Sequence, residues 1–267
     1  MNGPSPDKDD HRDDWRTRAE DAIPGGSSTG SKRAAALYGR EAHDNRLPTH
    51  FESASGCRVT TTEGARLIDC SMALGAVSLG YADPAVTLAV HEAASNGNVS
   101  GLPHRLEVEV AERLIDVIPC AEQVRFLRTG AEANAAAVRT ARTYTSRTHV
   151  VACGYFGWLD WCSDGAGVPS STKSDITWVQ FNDIDSLQSA FAVLGDSVAA
   201  LMIEPLVEVL ATAEWLQAAR ALCDAYGTVL IFDEVKTAFR VRTGGVQALY
   251  GIEPDLTTLG KALANGY

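Results

Sequence analysis

Aromatic residues make up only 7% of this 267-residue chain, and positive charge is in short supply. No stretch approaches the run of about 18 apolar residues that a membrane-spanning helix needs. The polar start, Met1 to Asp10, has no apolar core of a secretory leader. A cytoplasmic protein without a membrane partner is the expectation. Lys and Arg number 23 against 34 Asp and Glu, for a formal net charge of −11. That balance argues against binding a nucleic-acid backbone, which needs clustered basic charge. It leaves room for a local anion pocket. The six cysteines (Cys57, Cys70, Cys120, Cys153, Cys162, Cys223) are widely spaced, with no C-x-x-C pair. Zinc ribbons and dense disulfide scaffolds are thereby excluded, and mostly buried, reduced thiols are expected. His11, His43, His50, His91, His104 and His149 show no metal-ligand spacing, so no metal is expected. There is no P-loop, no G-x-G-x-x-G dinucleotide loop and no G-x-S-x-G elbow. A nicotinamide-dependent oxidoreductase therefore lacks its glycine loop.

At 45% hydrophobic residues and 21% charged, the chain has enough apolar material for a large core. Residues 1–22 read as a disordered arm, rich in Pro, Asp and Arg. Pro24 to Ser31 is a small-residue loop. It is either a flexible linker or a mobile loop in which Thr29, Lys32 and Arg33 touch an anion. Phe51 to Met72 reads as short strands and turns, followed by helices over Pro84–Ala94 and Leu106–Ile118. Strand and helix patterns then alternate. Strands are expected at Val124–Leu127, His149–Ala152, Ile176–Val179, Ala199–Ile203 and Thr228–Phe232. Helices are expected at Ala131–Arg142 and Thr212–Tyr226, with Gly227 ending the second. Apolar strands separated by helices imply an α/β fold, a mainly parallel sheet covered on both faces. Ligands bind beyond the carboxyl ends of such strands. That rule marks Thr129-Gly130-Ala131, Gly154-Tyr155-Phe156-Gly157, Glu204-Pro205 and Asp233-Glu234.

Each of these places has a chemical reading and an ordinary one. The helix start at Thr129-Gly130-Ala131 offers free N–H groups and a hydroxyl to a phosphate. It is equally a βα turn with Thr as N-cap. Asp233, ending an apolar strand, needs a partner such as a protonated ring nitrogen, or serves as a cap or ion pair. Lys261, among small and apolar neighbours, suits Schiff-base chemistry if desolvated, and is otherwise a surface lysine. Tyr155 and Phe156 offer flat faces for an aromatic cofactor, or fill the core.

In combination these features are far more specific. With Ile23–Gly26, Val124–Ala133, Ala141–Arg147, Phe232–Arg240, Gly244–Gln247 and Pro254–Lys261, the sequence resembles the class III, fold-type I aminotransferases that use pyridoxal 5′-phosphate (PLP). Within them it is most similar to the glutamate-1-semialdehyde 2,1-aminomutase branch. Lys261 follows Asp233 by 28 residues, which fits. The resemblance implies amino-group transfer between small amino and carbonyl compounds through a Lys261 Schiff base. Asp233 would hold the pyridine nitrogen protonated. Val235 and Tyr155 would cover the two ring faces. Thr129, Gly130 and Ala131 would bind the phosphate, and Glu204 would brace the site. Thr29 with Lys32 or Arg33 would contact substrate. It also implies a homodimer.

Residues 23–80 would form an N-terminal segment, comprising part of a small α+β domain and an active-site loop. Residues 81–267 would form the PLP-binding large domain, incomplete at its C-terminus. The family pattern is broken at Phe156, where His is usual, at Leu206–Leu210, where a Gly-Asn pair is usual, and at Ala238, where Gly is usual. Family members also continue well beyond the lysine, whereas this chain stops at Tyr267. The alternative to an active enzyme is a truncated, non-catalytic remnant or one part of a split enzyme.

Overall fold

The computed structural model describes residues 14–39, 47–97 and 99–267. His11, His43 and the first thirteen residues of the expected arm lie outside them. The chain forms two compact units, Met1–Met72 with Leu79–Leu88, and Ala73–Ser78 with Ala89–Tyr267.

The first unit begins with helix α1 (Trp15–Ala22), which replaces the end of the expected disordered arm. A local cap makes the difference. The Asp14 carboxylate accepts from Arg16 N at 3.1 Å and from the Thr17 hydroxyl, satisfying donors of the first turn. The Arg18 guanidinium lies 4.3 Å over the Trp15 ring. Two tight turns, Pro24–Gly26 and Gly30–Lys32, lead to the short helix α2 (Ala34–Tyr38). Strands β1 (Phe51–Ser55), β2 (Arg58–Thr61) and β3 (Arg66–Ile68) form an antiparallel sheet in chain order. Asp69 ties down the exit from β3, accepting from Ser71 N at 2.7 Å, Met72 N at 3.1 Å and the Tyr81 hydroxyl at 2.6 Å.

The chain then passes through a left-handed turn, α3 (Met72–Gly75), and helix α4 (Pro84–Ser95). The second unit continues with α5 (Arg105–Val117), α6 (Gly130–Thr145), β4 (His149–Cys153), α7 (Ser170–Lys173) and β5 (Ile176–Trp178). It ends with α8 (Ile184–Leu194), β6 (Val198–Ile203), α9 (Ala213–Tyr226), β7 (Val229–Asp233), α10 (Gly245–Tyr250) and β8 (Leu256–Thr258). The five strands are all parallel, in the order β5-β4-β6-β7-β8. Chain order reverses between β4 and β6, which opens a crevice at their carboxyl ends.

Period-2 alternation divides the core between the two faces of this sheet. Val151, Leu201, Ile203, Leu230 and Phe232 pack with Leu187 and Phe191 of α8 and Trp215, Leu216 and Ala219 of α9. Val150, Ala152, Ala200, Met202 and Ile231 pack with Val138 and Ala141 of α6. Each large side chain buried this way contributes roughly 1.5–3 kcal/mol.

Two further expectations fail. Val124–Leu127 is not a strand, and Phe126 and Leu127 are 42% and 46% exposed. An apolar run becomes a strand only where a neighbour takes its hydrogen bonds. Among the described residues none does so. Nor are the cysteines mostly buried. All six are free, and Cys57 and Cys70 are exposed, while Cys153 and Cys223 are buried. Burial pushes the Cys120 thiol up to about 12, and those of Cys153 and Cys162 to about 11.

Candidate active site

The carboxyl ends of β4, β6 and β7 and the start of α6 converge in the second unit. Asp233 ends β7, 4% exposed. Its Oδ1 accepts from Val235 N at 3.0 Å, and its Oδ2 accepts from Asn134 Nδ2 at 2.7 Å. Asn134 is itself buried on α6, and its Oδ1 accepts from the Thr258 hydroxyl at 2.7 Å. Burial dominates these bonds and pushes the Asp233 carboxyl up to about 6. A carboxyl in that state gains most from a cationic partner.

Lys261 follows β8 and starts a 3-10 turn, Lys261–Ala264. Its φ of 45° is left-handed, a strained setting for a side chain with a Cβ. Half-buried, its amine is held below the usual lysine range, mainly by burial and next by the charge of Lys236. Such an amine is a better nucleophile at neutral pH. Val235 sits between the parts. A Cβ on Gly130 would lie 3.1 Å from Val235 Cγ2, and one on Gly260 would lie 3.4 Å from Val235 Cγ1. The turn after β7, the start of α6 and the segment before Lys261 are therefore neighbours.

Thr129 caps α6, its hydroxyl oxygen accepting from Glu132 N at 3.1 Å, while Glu132 Oε2 accepts from Arg128 N at 3.1 Å. The Gly130 and Ala131 N–H groups, in the first turn, have no intrahelical acceptor. The helix dipole favours an anion there.

At the β4–β6 crevice, Glu204 is 2% exposed. Its Oε2 accepts from Tyr155 N at 2.9 Å, and its Oε1 pairs with Lys236 Nζ at 2.6 Å. The Tyr155 loop needs two glycines. At Gly154 (φ 134°) a Cβ would overlap the Glu204 Cβ, and at Gly157 (φ 105°) one would overlap the Ala131 Cβ.

Thr129, Gly130, Ala131, Tyr155, Glu204, Asp233, Val235 and Lys261 all belong to this second unit. Thr29, Lys32 and Arg33 belong to the first, exposed at the turn Gly30–Lys32. Tyr155 and Phe156 part company. Tyr155 is 67% exposed, but Phe156 is 2% exposed and stacks with Trp161 and Trp178. The ring of Phe156 thus offers no face to a ligand. Glu234 is also committed to the fold. Its carboxylate accepts from Val246 N, Gln247 N and the Thr237 hydroxyl. Asn134, Thr258 and Lys236 were not expected at the site. Among the described residues no group of three or more His, Cys, Asp or Glu is arranged to hold a metal, and no helix is long and apolar enough to cross a membrane.

A parallel sheet carrying a buried acid, a depressed lysine and an open helix start at one edge defines a class, the fold-type I transferases. The aminotransferase class-III family profile matches residues 38–162 and 165–267, and the chain belongs to that family. It is similar to glutamate-1-semialdehyde 2,1-aminomutase of Rhodopirellula baltica, 37% identical over 93% of this chain and 60% of that protein. It is also similar to 3-aminobutyryl-CoA aminotransferase of Cloacimonas acidaminovorans, 36% identical over 82% of this chain and 55% of that protein. Among solved structures, the FumI protein of Sphingopyxis sp. MTA144, in its PLP internal aldimine form, superposes with a TM-score of 0.87. That match has 30% identity and covers 95% of this chain and 62% of the other. The chain thus spans about 60% of the length of the relatives it matches.

Proposed function

We propose that this protein binds PLP and moves an amino group between small amino and carbonyl substrates. The observation that carries the reading is Asp233: a buried carboxyl at a strand end, held by Asn134 and Val235 N and pushed up to about 6. Its carboxylate, an acceptor, fits a protonated pyridine nitrogen, the first-turn N–H groups of Gly130 and Ala131 fit a phosphate, and the Lys261 amine fits an aldehyde. When bound, PLP supplies an electron sink for the carbanion formed at the amino-bearing carbon. Asp233 would hold the proton on the ring nitrogen. Thr129 Oγ1 and the first-turn N–H groups of α6 would bind the phosphate. Val235 and Tyr155 would cover the ring, and Glu204 steadies the Tyr155 loop. Lys261 Nζ would hold the cofactor through its aldehyde carbon and, once released by the substrate amine, would move a proton to and from the substrate carbon. Thr29, Lys32 and Arg33 supply hydroxyl and cationic contacts for a substrate carboxylate. The working form is a homodimer in the cytoplasm; the dimer is supported by the exposed apolar residues Leu106, Val110 and Val117 on one side of α5.

The alternative reading is PLP binding without turnover. One experiment separates them. The chain and Lys261→Ala are titrated with PLP, followed by visible absorption, reduced with borohydride and mapped by peptide mass spectrometry. A new band and a PLP mass on the Lys261 peptide are expected, both lost in the variant. No band beyond free PLP overturns the proposal. Turnover of a single amino substrate then marks a mutase, turnover only of a donor–acceptor pair a transaminase, and a band without turnover the binding-only reading.

A further inference from the structure

Three strand-end loops meet on the Glu204 carboxylate. It receives the Tyr155 N–H from the loop after β4 and the Lys236 ammonium from the turn after β7. At 2% exposure, Glu204 is costly to ionise without a partner. Lys236 is that partner, and its Nζ also donates toward the Leu206 carbonyl at 3.5 Å. The charged groups facing Lys261 are the cations Lys236 and Arg240 and the anions Glu204 and Asp233. Lys236 and Glu204 therefore bear on Lys261 with opposite signs.

We propose that Lys236 is a positioning residue of this site: by pairing with Glu204 it fixes the Tyr155 loop and offsets the carboxylate's hold on the Lys261 ammonium. The Lys261 amine is thereby held less firmly as an ammonium. The purpose of the device rests on the PLP reading, but its charge logic concerns this chain alone. The direction on Lys261 agrees: after burial, Lys236 is the largest influence keeping that amine low, and Glu204 opposes it.

The test needs no cofactor. Acetylation of Lys261 by acetic anhydride is followed against pH in the full chain, by peptide mass spectrometry, with circular dichroism to check folding. Lys236→Met leaves Glu204 uncompensated, so the Lys261 midpoint rises, by about half a pH unit or more. Glu204→Gln keeps an acceptor for Tyr155 N but removes the anion, so the midpoint falls by a similar amount. Lys236→Arg keeps the cation and restores the original midpoint. A merely structural role would move both charge variants the same way, or neither. An unmoved midpoint in folded Lys236→Met, or shifts of equal sign, overturns the proposal. Should Lys236→Met not fold, Lys236→Gln takes its place, a rise supporting the proposal and anything else overturning it. Opposed shifts without PLP fixed on Lys261 would sustain the charge pairing and sink the PLP reading; the converse would do the reverse.

Discussion

Asp233 sets stability against function. Its carboxyl is about 6 in the folded chain against an ordinary 3.8. Between those values the folded state holds the proton more tightly than the unfolded state does. Stability therefore falls as pH rises from about 4 to 6, and the loss persists above that window, at roughly 3 kcal/mol. Asp233→Asn keeps a hydrogen-bonding side chain without the charge. It is expected to melt higher than the parent at pH 7.5, with the gap closing near pH 4, as calorimetry across pH will show. The same variant should bind PLP more weakly. Asp233 and Lys261 stand out in the sequence only in combination with the Thr129 turn and the Tyr155 loop, since an acid ending an apolar run and a lysine among small residues each have an ordinary reading alone. Asn134 and Lys236 do not stand out at all. Asn134 lies 99 residues from Asp233 along the chain, and Lys236 and Glu204 meet only after β6 and β7 pair. Phe156 misled for a related reason: nothing local says that its ring turns inward to Trp161 and Trp178 while Tyr155 turns out.

Helices α6 and α9 are built alike, each with a threonine N-cap whose hydroxyl accepts from the third residue on, Glu132 N and Trp215 N. Removing either hydroxyl costs about 1 kcal/mol of stability. Thr129→Ala and Thr212→Ala should therefore lower the denaturation midpoint alike. Only Thr129→Ala should weaken PLP binding, measured by titrating absorbance, because only α6 starts beside Val235 and Asp233. The central elements were readable because their signals are local. β6 and β7 are uninterrupted apolar runs, and Gly227 ends α9 in a left-handed conformation (φ 60°). Helix α8 went unrecognised because its cap, Asp183, is an unremarkable acid until its side chain is seen accepting from Ser186 N at 2.9 Å. Val124–Leu127 failed in the opposite sense, since strand propensity cannot supply a pairing partner.

The parallel sheet, with a core on each face, follows from alternation of apolar strands and helices, and its switch between β4 and β6 explains why the reactive groups collect at one edge. Leu106, Val110 and Val117 share one side of α5. If that side is covered by a second copy, Val110→Glu, at a residue now 37% exposed, should shift the chain toward monomer in sedimentation velocity while leaving circular dichroism unchanged. An unchanged sedimentation coefficient would remove α5 from the contact. The division of the thiols between the units has a practical outcome. Cys57 and Cys70 are exposed in the first unit, whereas Cys153 and Cys223, in the sheet and helix α9 of the second, are buried, with thiols that resist ionisation. Cys120 and Cys162 of the second unit are half-buried, and burial raises their thiols too, so a maleimide dye added at neutral pH should mark the first unit faster than the second. The protein carries, without engineering, an addressable pair of handles on its first unit.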